Sequence, residues 1–195
     1  MSDRPPSRPT RRRAPDDGSV SVFVADEQGD GERHPVDVGR WVRLAEAVLG
    51  AEGVVGDTEL SVLFVDPDTM RDLNIRFMGG DGPTDVLAFP LDEAVVEPGR
   101  WPDGGLPGPD REPTASDELP LLLGDVVICP AVAAANAADH AGTYDDEVAL
   151  LLVHGILHLL GMDHVDPDER AAMQAREREL LARFHGPLAG DPWRP

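Results

Sequence analysis

The block His154-Gly-Ile-Leu-His158-Leu-Leu-Gly161-Met-Asp-His164 constrains this chain more than any other segment. His154 and His158 stand four residues apart amid leucines, so on a helix their rings leave one face, one turn apart. Gly161 can take the left-handed conformation that ends a helix. A chain that turns back there brings His164 toward the same point. A lone histidine on an apolar helix is more often a satisfied core residue than a ligand. Three that converge would be costly to bury without a partner, and a metal removes that cost. Three imidazoles suit zinc with a fourth position left for water, and imidazole also accepts nickel. The fold must therefore present a three-histidine site at the end of a central helix.

The spacing also fits the metalloprotease pattern H-E-x-x-H-x-x-G-x-x-H, except that Gly155 stands where that pattern has its glutamate. The glutamate is the general base of peptide hydrolysis. The ligand set is present and the peptidase base is missing, so a metalloprotease-like peptidase is disfavoured.

The chain has 195 residues, enough for one ordinary domain with tails, and 41% are hydrophobic. Aromatic residues are only 5%, so the core must be built of Val, Leu, Ala and Ile. Cys129 is the only cysteine, which excludes an internal disulfide and a cysteine-rich zinc site. Within Asp125-Val-Val-Ile-Cys129 it reads as a small buried hydrophobe. The formal charge is −20, and all 17 basic residues are arginine. Five of them lie in the first 13 residues against the single acid Asp3, a local charge of +4 that leaves −24 for the remainder. Such an acidic body argues against broad, non-specific affinity for nucleic acid. It leaves room for a local basic cleft or arm. The N-terminus lacks the apolar stretch of a secretory signal. No run approaches the roughly 18 apolar residues of a spanning helix. No membrane role is expected, and the cytoplasm is the expected location.

Periodicity divides the chain. Residues 1–18 are Arg, Pro, Ser and Asp, the composition of a disordered basic arm. Val20–Val24, Leu60–Val65, Asp85–Phe89 and Leu121–Ile128 read as strands, the third stopped by Pro90 and the fourth interrupted at Gly124. Val38, Trp41, Val42, Ala45, Val48 and Leu49 recur at helical spacing before Gly50. Asp66-Pro67 opens a second helix with Met70, Leu73, Asn74 and Phe77 on one face, ended by Gly79-Gly80. Pro130 to about Ala138, Asp145–Leu160 and Asp166–Phe184 complete five helices. Residues 91–118 are rich in Pro, Gly and acids without periodicity and read as a disordered insertion. The expected fold is one α+β domain over residues 19–185, with about four strands in a sheet packed with about five helices, and a tail at 186–195.

Three blocks of the sequence resemble the YbeY family of bacterial rRNA maturation factors. His154 to His164 matches the family's H-G-x-L-H-L-x-G-x-D-H at every fixed position. Asn74 to Pro90 is similar to N-x-x-[FY]-R-x-x-D-x-P-T-D-V-L-S-F-P through Asp81, Pro83, Thr84, Asp85, Val86, Leu87, Phe89 and Pro90. Leu123-Gly124-Asp125-Val-Val-Ile128 resembles L-G-D-[IV]-x-I. The resemblance spans roughly residues 20–185. Two positions depart from it. Met78 stands where many relatives carry an arginine assigned to RNA phosphate, and Ala88 replaces a common serine.

The resemblance implies a single-strand-specific, zinc-dependent endoribonuclease acting in 16S rRNA 3′-end maturation and ribosome quality control. It implies ribosomal RNA and the small ribosomal subunit as partners, together with a small-subunit ribosomal protein and an Era-type GTPase. In that setting the metal, held by His154, His158 and His164, activates either water or a ribose 2′-hydroxyl. Asp85 and Asp125 are candidates for acid–base work or for orienting the ligand imidazoles, with capping of strand ends as their plain alternative. Asp163 reads as a turn residue beside His164. The competing reading is a non-catalytic ribosome-assembly factor whose metal braces the last helices. Four protein ligands would favour it, and His140 and His185, the spare imidazoles, lie outside the motif.

Overall fold

In the computed structural model, residues 20–29, 31, 33–54, 56–91, 121–163 and 166–194 are described. The predicted arm, the insertion beyond Leu91 and His164 lie outside these residues.

Four strands form one mixed sheet in the order β1-β2-β4-β3: β1 (Val20–Glu27), β2 (Thr58–Val65), β3 (Val86–Pro90) and β4 (Leu121–Ile128). β1 and β4 run parallel to β2, and β3 runs antiparallel to β4 along the edge. Successive side chains leave opposite faces of a strand, and here both faces are covered. Leu60, Val62, Phe64, Val126 and Ile128 enter the main core. Val65, Leu87, Val127 and Cys129 enter a smaller one with Met70. That is why β4 reads as a continuous apolar run rather than an alternating one. Cys129 is buried as expected, and burial pushes its thiol up.

The interruption expected at Gly124 is a β-bulge inside a continuous strand. Glu59 pairs with Leu122 and Leu60 with Gly124, leaving Leu123 as the extra residue. Gly124 has φ +144°, and a β-carbon there would collide with the Phe89 carbonyl of β3. β3 also runs one residue further than expected, with Pro90 opposite Gly124. An edge strand tolerates the missing N–H.

Helix α1 (Val38–Ala51) begins at Asp37, whose carboxylate accepts the Arg40 N–H at 3.0 Å. It buries Trp41, Leu44, Ala45, Val48 and Leu49. Helix α2 (Pro67–Leu73) is capped by Asp66, which accepts the Thr69 N–H at 2.8 Å. The expected straight continuation to Phe77 is a π-helical turn, Asn74–Met78, closed by Gly79 at φ +70°. The wider turn breaks the 3.6-residue phase, so Phe77 is 53% exposed instead of joining Met70 on the buried face. Helix α3 (Pro130–Asn136) follows β4 and gives way to a 3₁₀ turn at Ala137–Asp139.

Helix α4 (Tyr144–Leu159) starts at Thr143, which accepts the Asp146 N–H. Val148 to Val153, Gly155, Ile156, Leu157 and Leu159 are all buried, so the helix is apolar on nearly every side. It lies against β3 and β4 and touches α1, α3 and α5 (Pro167–Phe184). Each buried Val, Leu or Ile contributes about 1.5–3 kcal/mol, which makes α4 the centre of the domain. Among the described residues the architecture is the expected single α+β domain, with four strands and five α-helices. Among the described residues, no helix is long and apolar enough to cross a membrane. Residues 186–194, expected only as a tail, turn back onto the domain, with Leu188 and Trp193 packed on the main core.

Candidate metal centre

Because α4 from Asp146 onward is otherwise buried, its open stripe is narrow, and His154 and His158 occupy it one turn apart. Their Nε2 atoms lie 3.1 Å apart, with ring centroids at 4.5 Å and planes at 82°. A tetrahedral zinc with nitrogens at about 2.0–2.1 Å has neighbouring donors about 3.3 Å apart. The two rings thus already face each other at close to ligand spacing. After His158 the helix closes as the sequence predicts. Gly161 has φ +83°, its N–H donates to His158 O at 2.9 Å, and Met162 N–H donates to Leu157 O at 3.0 Å. Helix α5 is capped by Asp166, whose carboxylate accepts the Asp168 N–H at 2.8 Å. No group of three potential ligands occurs among the described residues, and His164 is not one of them.

His154 has a partner that sequence reasoning missed. Glu177 of α5 places Oε1 2.8 Å from His154 Nδ1 and is only 4% exposed. A carboxylate accepts, so Nδ1 donates in this contact and Nε2 is the nitrogen turned to His158. Carboxylates hold metal-binding imidazoles in this way. The other oxygen, Oε2, accepts the indole N–H of Trp193 at 2.7 Å. The only sequence signal for Glu177 was its place on the buried stripe Met173, Glu177, Leu180, Leu181 of α5, where an acid stands out among apolar neighbours.

Two clefts open on either side of His154. One, of about 320 Å³, runs toward α5 and is lined by Asp85, His140, His154, Gln174, Glu177 and Trp193 among others. The second, of about 430 Å³, is a groove between α4 and β3 lined by Met78, Val86, Leu87, Ala88, Pro90, His154, Gly155 and His158. Asp85 therefore borders the site. Its Oδ1 also accepts the Val86 N–H at 2.8 Å and the Thr84 hydroxyl at 3.1 Å, the strand-end capping that was its plain alternative. Asp125 lies mid-strand in β4 opposite Phe89. Met78 sits at the groove rim, 54% exposed, while the Arg76 guanidinium stacks on Phe77 at 5.1 Å.

Of the three histidines outside the motif, His140 and His185 are engaged by acids, while His34 lies against Tyr144. His140 Nδ1 lies 2.9 Å from both oxygens of the fully buried Glu147. His185 Nε2 lies 2.8 Å from Asp146 Oδ1. Burial pushes the Asp146 carboxyl up, but hydrogen bonds from His185, Thr143 and the Ala189 N–H outweigh it and hold it below the usual carboxylate range.

A mixed sheet whose buried helix delivers a His-x-x-x-His pair to an open groove defines a class: a small α+β domain with two imidazole nitrogens at close to metal-ligand spacing. The family model described as Endoribonuclease YbeY matches residues 25–185. The chain belongs to this family. A protein named Endoribonuclease YbeY from Salinispora tropica is 47% identical over 165 residues, covering 85% of this chain and 96% of its own. One from Thermobifida fusca is 47% identical over 169 residues, covering 87% and 97%. One from Mycolicibacterium vanbaalenii is 47% identical over 167 residues, covering 85% and 80%. The solution structure of TM1509 from Thermotoga maritima shares the fold, with a TM-score of 0.50 at 24% identity over 89% of this chain and 99% of that one.

Proposed function

We propose that this chain is an endoribonuclease that holds one zinc ion through His154, His158 and His164 and cuts single-stranded RNA in the groove between α4 and β3. The single observation that carries the reading is the facing pair of Nε2 atoms, 3.1 Å apart at the floor of an open groove, with Nδ1 of one ring already engaged by Glu177. Family membership supplies the substrate class. Nickel fits the same imidazoles.

When bound, the metal supplies Lewis acidity toward a phosphoryl oxygen and lowers the pKa of its water toward about 7. The chain's own residues do the rest. Glu177 holds the His154 ring in one orientation and one tautomer. On this reading Asp85, which lines the cleft beside His154, takes or returns a proton; its bonds to Val86 and Thr84 are those of a cap. Val86, Ala88 and Pro90 offer an apolar wall to unstacked bases, which suits a single strand better than a duplex. Gly155 offers no base for peptide hydrolysis, which sets the peptidase reading aside.

On this reading the substrate is ribosomal RNA, with 16S 3′-end maturation and ribosome quality control as the setting and the small subunit as the place of action in the cytoplasm. A small-subunit ribosomal protein and an Era-type GTPase are the partners it implies. The test is cleavage of single-stranded and duplex RNA by zinc-loaded protein, beside His158→Ala. Cleavage confined to the single strand and reduced at least a hundredfold in the variant supports the reading. Equal cleavage by the variant sinks it.

A further inference from the structure

The family match ends at residue 185, yet the next nine residues reach the candidate site. After α5 the chain reverses at Gly186, with φ +122°. Ala189 N–H then donates to Asp146 Oδ2 at 3.1 Å, and Gly190 N–H to Ala141 O at 2.7 Å. The crossing is tight. A β-carbon on Gly190 would stand 2.7 Å from the Ala141 carbonyl carbon and closer still to the His140 carbonyl oxygen. One on Gly142 would stand 2.7 Å from Ala189. Two glycines are therefore needed where these segments pass each other. Beyond the crossing, Trp193 lies under the Arg178 guanidinium at 4.6 Å and aims its indole N–H at Glu177.

We propose that Trp193 is a positioning residue: through Glu177 it fixes the orientation and tautomer of His154, and residues 186–194 form a strap on which metal affinity depends. This rests on the reading of His154 as a ligand. The buried Glu177 carboxylate has one oxygen on His154 and the other on Trp193. An indole nitrogen can only donate, so Trp193 fixes which oxygen is left for the imidazole and in what plane. Without that donor, a carboxylate shielded from water has an unmet acceptor and is free to turn toward another partner. His154 then loses the contact that keeps its proton on Nδ1. The strap also forms one side of the cleft beside His154, through Pro192 and Trp193.

The test uses the full chain and two variants. Trp193→Phe keeps an aromatic ring and removes the N–H. Gly190→Ala keeps Trp193 and displaces the strap at its crossing. Nitrogen and proton resonances of the His154 ring are recorded in metal-free protein, and zinc affinity is measured by competition with a chelator. Wild type should show the Nδ1–H tautomer. Both variants should mix in the Nε2–H form and bind zinc about tenfold more weakly, the lower end of what loss of a carboxylate–histidine contact costs. A purely structural strap would leave the tautomer unmoved. If both variants keep the wild-type tautomer and bind zinc within twofold of wild type, the proposal is overturned. If wild type binds no zinc but Trp193→Phe still shifts the tautomer, the Trp193–Glu177–His154 chain stands and only the metal reading falls.

Discussion

Gly155 lies so close to Val126 that a β-carbon on it would stand 2.6 Å from Cγ1 and 3.1 Å from Cγ2. α4 can settle directly on β4 only because this position carries no side chain, and that seat brings His154 and His158 to the β3 edge. It also explains why the metalloprotease glutamate has no counterpart here, since the position is turned into the sheet.

Gly155→Ala should therefore destabilise the protein. Alanine gains about 1 kcal/mol in helix propensity over glycine. Overpacking against the fully buried Val126 costs about 1–3 kcal/mol. We expect a net loss of about 1 kcal/mol, read as a lower urea midpoint at unchanged slope. A midpoint equal to or above wild type would mean that Val126 yields.

Zinc content should be about one per chain by elemental analysis, since three imidazoles make one site. Alanine at His154, His158 or His164 should remove most of it. Glu177→Gln should retain zinc with affinity reduced about 10–100-fold, because it alters the support of a ligand rather than the ligand. Full metal retention in all three histidine variants would refute the assignment.

Asp146 should make stability acid-sensitive. Its carboxyl is held below the ordinary value, so the folded state favours the ionised form. The resulting stability is present above the unfolded pKa of about 3.9. It is lost as pH falls through the lower folded value. Denaturant titrations of wild type and Asp146→Asn should thus differ most near neutrality and converge below about pH 4. A constant gap across that range would assign the difference to lost contacts alone.

Met78→Arg should strengthen RNA binding. Met78 lines the groove with both histidines and is half exposed, so an arginine there can reach a phosphate without replacing either histidine. One added phosphate contact on a single strand should steepen the dependence of log affinity on log salt by about 0.7. An unchanged slope would place the RNA backbone elsewhere.

The elements and the histidine pair were legible because each rests on short-range pattern. Apolar spacing gave α1, Asp66-Pro67 marked the start of α2, and the four-residue step from His154 to His158 fixed a shared face. What escaped depends on contacts distant in sequence or on backbone detail. Glu177 lies 23 residues beyond His154, and Trp193 another 16 beyond Glu177, so only the packing of α5 and the strap joins them. The π turn at Asn74–Met78 carries the same residues a regular helix would. The order β1-β2-β4-β3 with one reversed strand depends on tertiary pairing that no single segment encodes.

The pairing of β3 with β4 has a topological consequence. The chain leaves the ladder beside Gly124, where Leu91 N–H still reaches Leu123 O at 3.4 Å, and re-enters at Leu121 at the same end. The two exits are neighbours. Each doubling in length of a flexible segment joining close ends costs only about 0.6 kcal/mol. The sheet is in effect a closed circuit with a port on its edge. A reporter domain could be spliced in there, or new chain ends opened, with the α4 histidines still carried on an uncut framework.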